Sequence, residues 1–129
     1  MQNSLMLQFL TVGAGGFIGA GLRFLVGTGV QRALPAAAFP YGTMAVNVIG
    51  CLLIGFIAAW RQPLEPGLRL FLTVGVLGGF TTYSAFALET LTLAQQHSHS
   101  LAFANVALKL LLGLTAVWGG FELGRLLTQ

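Results

Sequence analysis

Apolar positions fall in four long runs, parted by short polar or proline-containing stretches. The runs cover residues 5–26, 42–60, 68–93 and 101–127, and each is long enough to cross a bilayer as one helix. A proline-containing connection, residues 33–40, joins the first two. Trp60 and Arg61 close the second run with an aromatic ring and a cation suited to the membrane interface. Pro63 and Pro66 stop that helix and let the next begin near Arg69. A polar stretch, residues 95–100 with His97 and His99, separates the last two runs.

Composition makes lipid the expected solvent. Of 129 residues, 56% are hydrophobic and 7% charged, with six Lys or Arg, three Glu and no Asp, and the mean hydropathy is +0.85. Soluble domains carry about 25% charged residues, so this chain cannot cover a water-facing surface with polar groups. A hydrocarbon core of about 30 Å, at about 1.5 Å per residue, needs about 20 residues per helix. Four spans therefore fit, five would leave almost no loops, and residues 1–129 are expected to form one all-α membrane domain. The net charge is +3 and the pI about 9.8, but the cations stand singly, which excludes nucleic acid as a partner. Cys51, the single cysteine, allows neither an internal disulfide nor a thiolate cluster. The first eight residues lack the positive start of a secretory signal, so the first run is expected to remain in the mature protein. Arg61, Arg69 and Arg125 flank the spans on one side and Arg32, with Arg23 at its span's edge, on the other, so the orientation bias is weak.

Eighteen glycines suit close helix contact in lipid, where packing relies on small residues. Gly15 and Gly19, Gly75 and Gly79, and Gly120 and Gly124 each make a G-x-x-x-G pair. Thr11-Val12-Gly13 and Thr73-Val74-Gly75 are each followed by Gly-Gly-Phe, but no repeat period is met. Gly13-Ala14-Gly15 is no dinucleotide fingerprint, since Ile18 replaces the third glycine and no acid precedes Glu65.

The third run carries Gly78-Gly79-Phe80-Thr81-Thr82-Tyr83-Ser84 at its centre. Two glycines followed by β-branched and hydroxyl residues predict a helix break whose carbonyls bind a cation. Unwound backbone survives at membrane depth only when buried in protein or facing water or an ion. The alternative is a straight helix whose Ser and Thr hydroxyls bond back to preceding carbonyls. Elsewhere, Arg23 shares a helical face with Gly16 and Gly19, Asn47 with Gly50, Cys51 and Ile54, and Glu89 with Thr82 and Phe86. Ionisable groups inside spans are functional candidates by default. Arg23 could also snorkel to the interface, Glu89 could be an interfacial acid, and Lys109 could snorkel or pair with an acid. Glu122 and Arg125 form an i, i+3 pair at a helix end. The inward set, Arg23, Thr43, Asn47, Thr81, Thr82 and Ser84, is one of donors, and Tyr83 and Phe86 can offer electropositive ring edges to the same space. Donors and ring edges with few acids suit a small anion. No catalytic constellation occurs, and the His97-x-His99 spacing is a weak metal signal, so an enzyme is not expected.

Three motifs carry a likeness to a known family: Gly19-Ala20-Gly21-Leu22-Arg23-Phe24, Gly42-Thr43-Met44-Ala45-Val46-Asn47, and Gly78-Gly79-Phe80-Thr81-Thr82-Tyr83-Ser84-Ala85-Phe86. With its size and four runs, the chain resembles the CrcB/Fluc fluoride channels over nearly its whole length. The resemblance implies a dual-topology antiparallel homodimer in the bacterial inner membrane, with two fluoride pathways along the subunit interfaces. It implies a broken third helix at the two-fold axis, where carbonyls of Gly78 and Thr81 from both subunits hold a structural sodium ion. By the same likeness Asn47 is a pore-lining donor, Tyr83 and Phe86 make ring-edge anion contacts, and Arg23 makes the vestibule electropositive. Ser84 and Glu89 belong to the polar side of the pathway, and Thr43 is a further candidate donor. The chain departs from the family in Tyr83, where many members have Phe, and in Ala85 and Ala87, where hydroxyl residues are usual. Near Gly113 it carries Leu114 and Trp118 where the family often has Ser or Thr, and Thr115 is the nearest hydroxyl. The expected activity is passive fluoride export. The rival readings are a small proton-coupled multidrug exporter of four-helix dual-topology type and a non-transporting assembly subunit.

Overall fold

The computed structural model describes residues 4–34, 38–60 and 62–128. Arg61, expected at the membrane interface, and the middle of the first connection lie outside the described residues. Ser4 opens helix α1 (Leu5–Ala33) by accepting the Leu7 N–H on its hydroxyl. Helix α2 runs Tyr41–Ala59. The third apolar run divides into α3 (Pro66–Leu70), a π-helical stretch (Phe71–Leu77), a single turn α4 (Gly78–Phe80) and α5 (Tyr83–Gln95). Helix α6 (His99–Leu127) completes the chain. Four stretches, Leu5–Ala33, Tyr41–Ala59, Pro66–Gln95 and His99–Leu127, are long and apolar enough to cross a membrane.

The helices outrun the apolar boundaries because local caps set their ends. Pro66 occupies the first position of α3, where its missing N–H costs nothing, and the Glu65 carboxylate accepts the Leu68 N–H at 2.9 Å. Hydrogen bonds from the backbone N–H groups of Gly67 and Leu68 hold the Glu65 carboxyl below its usual pKa. Helix α5 ends in a Schellman motif: Ser98 N–H bonds Leu93 O at 2.9 Å and His97 N–H bonds Ala94 O at 3.1 Å. His97, with φ 59°, takes the left-handed position that glycine usually fills. The turn therefore shrinks to residues 96–98.

Packing pairs α2 most extensively with α6, and α1 with the π-helical stretch. Glycine makes both contacts possible. A Cβ on Gly15 would lie 2.9 Å from the Gly75 Cα, and one on Gly75 would lie 2.9 Å from the Gly15 Cα, so the expected G-x-x-x-G pairs of the first and third spans face each other. On α6 the buried positions are Ala102, Asn105, Lys109, Gly113, Ala116, Gly120 and Gly124, a stripe at steps of three and four. The outer surface is apolar, with Phe9, Phe17, Phe24 and Trp118 more than two-thirds exposed, as suits a chain surrounded by lipid or a second subunit.

Between α4 and α5 the backbone is extended: Thr81 has φ −83° and ψ 158°, Thr82 φ −148° and ψ 121°. The Asn47 side chain, reaching from α2, satisfies both backbone groups of Thr82. Its Nδ2 donates to Thr82 O at 3.0 Å and its Oδ1 accepts the Thr82 N–H at 2.8 Å. The Thr82 hydroxyl then caps α5 by accepting the Ala85 N–H at 3.3 Å. Thr81 Oγ1 bonds back to Leu77 O at 3.0 Å, as the straight-helix alternative anticipates for a hydroxyl, while its backbone is extended.

Two outcomes follow for purified protein. Gly15→Ala or Gly75→Ala should lower stability by about 1–3 kcal/mol, because backbone must move to admit the methyl group. The check is thermal unfolding in detergent. Asn47→Ala leaves the Thr82 N–H and C=O without partners and should cost about 1–3 kcal/mol for each group. Ile49→Ala, on the outer face of the same helix, is the matched control and should cost less.

Candidate functional site

The candidate residues gather around the two extended residues in three connected regions. Asn47, Gly50, Cys51 and Ile54, one face of α2 by their spacing, line a cavity of about 360 Å³ with Gly78, Thr81, Thr82, Tyr83, Phe86 and Lys109. Arg23, Thr43 and Glu89 line a second cavity of about 660 Å³, together with Gln31 and Arg32. Ser84 lines neither, but a third cavity of about 400 Å³ with Arg23, Thr43 and Thr82.

Arg23, Glu89 and Lys109 each have a defined partner. The half-buried Arg23 reaches the third span, where its Nη1 donates to Thr81 O at 3.3 Å. Glu89 is held in an ion pair with Lys109, Nζ to Oε2 2.7 Å. The Thr43 hydroxyl donates to the same Glu89 oxygen at 2.7 Å, and Lys109 Nζ also donates to Thr43 Oγ1 at 2.8 Å. Lys109 further sits 5.3 Å from the centroid of the Phe86 ring, within cation–π range. Its side chain is only 5% exposed while that of Glu89 is 25% exposed, so removing Glu89 would strand a buried charge. Tyr83 and Phe86 meet edge to face, with centroids 5.6 Å apart, and Tyr83 is 79% exposed on the protomer.

The helix end supplies free acceptors. The Thr82 N–H would close the α-helical bond to the carbonyl four residues back, that of Gly78, but it is spent on Asn47. Gly78 is exposed, and a Cβ there would meet only Thr73 O, at 3.9 Å. Thr81 O keeps a second lone pair beside its bond from Arg23. Gly50 backs directly onto Thr81, where an added Cβ would run into the Thr81 Cγ2.

Lys109 was the residue without an assignable role in the sequence, and the structure places it at the junction of the first two cavities. The signal that finds it is the stripe of small and polar residues along α6. Asn105, one turn earlier, is fully buried; its Nδ2 donates to Thr90 Oγ1 at 2.9 Å and its Oδ1 has no partner among the described residues. Leu114, Thr115 and Trp118 lie on the exposed side of α6, and Ala87 is exposed as well, while Ala85 lines the third cavity. The rings of His97 and His99 meet edge to face at 6.2 Å, and among the described residues no group of three His, Cys, Asp or Glu side chains comes together. Glu122 and Arg125 form their surface pair at 2.6 Å.

This arrangement joins donors, a fixed cation and ring edges around an opened span. Comparison with known proteins places it. A protein named fluoride-specific ion channel FluC from Elusimicrobium minutum is 44% identical over 126 residues, covering 96% of this chain and 98% of its own. The protein of the same name from Rhizobium meliloti is 44% identical over 124 residues, covering 93% and 98%. That from Novosphingobium aromaticivorans is 47% identical over 117 residues, covering 88% and 93%. The family described as CrcB-like protein, Camphor Resistance (CrcB), matches residues 10–121, and the chain, a multi-pass membrane protein, belongs to that family.

Proposed function

We propose that the protein is a fluoride-selective channel that lets fluoride leave the cytoplasm passively. The observation that carries this reading is the cavity at the opened third span, where Asn47, Thr82, the Tyr83 and Phe86 rings and Lys109 offer an anion donors and positive charge. The names of the similar proteins support the choice of ion.

Fluoride enters cells from acidic surroundings as uncharged HF, dissociates in the more neutral cytoplasm and is trapped as an anion. An open path suffices to return it down its electrochemical gradient, and no reaction is catalysed. Fluoride is small and strongly hydrated, so a narrow path must replace its water with closely spaced donors, which chloride would fill poorly. Arg23, with Arg32, gives the larger cavity a positive wall that draws anions in. Asn47 and Ser84 then supply donors and Phe86 and Tyr83 ring edges, while the Thr43 hydroxyl, expected to be a further donor, is spent on Glu89, which tunes the charge of the path through Lys109.

The reading extends to assembly. The exposed Gly78, Val74 and Tyr83 give the third span a face for a second copy. Two subunits of opposite orientation in the inner membrane would form an isologous dimer, a topology supported by the near balance of Arg32 and Arg23 against Arg69, Arg125 and Arg61. The break in the third helix would then lie at the two-fold axis. The freed carbonyl of Gly78 and the remaining lone pair of Thr81 suit a sodium ion. Two carbonyls per chain are too few for one ion, and a second subunit doubles them. The bound ion would neutralise the carbonyls at the break and tie the subunits together; it would not be transported.

The multidrug-exporter reading needs a carboxylate free to exchange a proton for substrate, and both acids within the described spans are paired, Glu89 with Lys109 and Glu122 with Arg125.

Liposomes containing the purified protein should release fluoride when valinomycin dissipates the potential, read with a fluoride electrode, and retain chloride. Asn47→Asp, which places an oxygen opposite Thr82 O, should abolish the release in protein of normal dimer content. Equal chloride release, or none of either ion from verified dimers, would overturn the reading.

A further inference from the structure

We infer that Lys109 is an anion-binding group, and that an anion in the cavity between α2, the third span and α6 rests on its ammonium; this rests on the channel reading above and adds a site to it. Three observations carry it. First, among the described residues lining that cavity, Lys109 is the one charged side chain, so the wall bears a single positive charge while the compensating carboxylate of Glu89 lines the neighbouring cavity. Second, the ammonium has three N–H donors, and Thr43 Oγ1 and Glu89 Oε2 accept two of them, leaving one to give to an anion. Third, Lys109 cannot be read as a surface lysine that happens to point inward. It lies on the buried stripe of α6 between Asn105 and Gly113, and its ammonium is fixed by the ion pair and the Phe86 ring.

The arrangement divides labour between the two charges. Glu89 makes Lys109 tolerable in lipid by keeping the pair neutral, and it limits how tightly an anion is held. An uncompensated ammonium would trap the anion, whereas a neutral wall would give it little reason to shed water. A cation whose counter-charge sits on the far side of the cluster is intermediate, which favours entry and departure alike. The ammonium lies 5.3 Å from the centre of the Phe86 ring, and both line one cavity, so the cation and the electropositive ring edge act on the same space.

The test measures fluoride binding, by 19F NMR titration of detergent-solubilised protein, and fluoride flux from liposomes on the same preparations of the parent chain, E89Q and K109Q/E89Q. The double variant removes both charges together, so no buried charge is stranded. E89Q should bind fluoride at least about tenfold more tightly than the parent and K109Q/E89Q at least about tenfold more weakly, each about 1.4 kcal/mol. If K109Q/E89Q does not fold, K109M/E89Q, which keeps the side-chain volume and carries neither charge, takes its place: weakened binding supports the site and binding as tight as the parent's overturns it. A parent that conducts fluoride, with both variants binding as it does, overturns the role of Lys109 and leaves the channel standing. Lys109-dependent binding in a parent that conducts nothing supports the anion site while the channel reading falls. A parent that neither binds nor conducts fluoride overturns both.

Discussion

The side-chain amide of Asn47 closes on both backbone groups of Thr82, and the rest of the site depends on that pair of hydrogen bonds. A span opened in hydrocarbon costs several kcal/mol for each backbone group left unpaired, so two extended residues at membrane depth require a dedicated partner. Asn47 is that partner: one donor and one acceptor in the spacing of a neighbouring strand, carried by a helix. The consequences run in two directions. Toward α4, the carbonyl of Gly78 loses its helical donor and becomes available. Toward α5, the Thr82 hydroxyl is turned to cap the new helix, which aims Tyr83 and Phe86 at one cavity wall.

Close packing makes the clasp reachable. Gly50, one turn after Asn47 on α2, has no side chain to hold Thr81 away, and Gly15 and Gly75 let α1 press on the stretch just before the break. The glycines are thus part of the site as much as of the fold. Charge is arranged with the same economy. Arg23 takes the Thr81 carbonyl, and Lys109, Glu89 and Thr43 form one hydrogen-bonded cluster, so each charged group within the opened region has a partner.

The four spans were legible in the sequence because hydrophobic length alone separates them, and their order sets the fold. Ends were less legible: α1 continues to Ala33 beyond the apolar run, and the Schellman turn at His97 extends both flanking helices into a stretch that reads as polar. The special chemistry of residues 78–84 was visible, because glycines followed by threonines are poor filling for a membrane helix. Which group would hold the opened backbone was not, since Asn47 reads equally well as a pore donor and its clasp joins residues far apart in sequence. Lys109 was opaque for the same reason. A lone lysine in an apolar run acquires meaning only once α6 is wound and the residue falls on the buried stripe opposite Glu89. The π-helical winding of residues 71–77 left no signal in the residue pattern.

The account turns on the backbone of Thr81 and Thr82, and its most direct measurement is their 13C chemical shifts by solid-state NMR in threonine-labelled protein in lipid bilayers. Extended values at both residues, moving toward helical ones when Asn47 is replaced by Leu, are what the clasp predicts. Helical values at both residues in the unaltered chain would contradict it, because a continuous helix would leave the Gly78 carbonyl bonded and the third span closed.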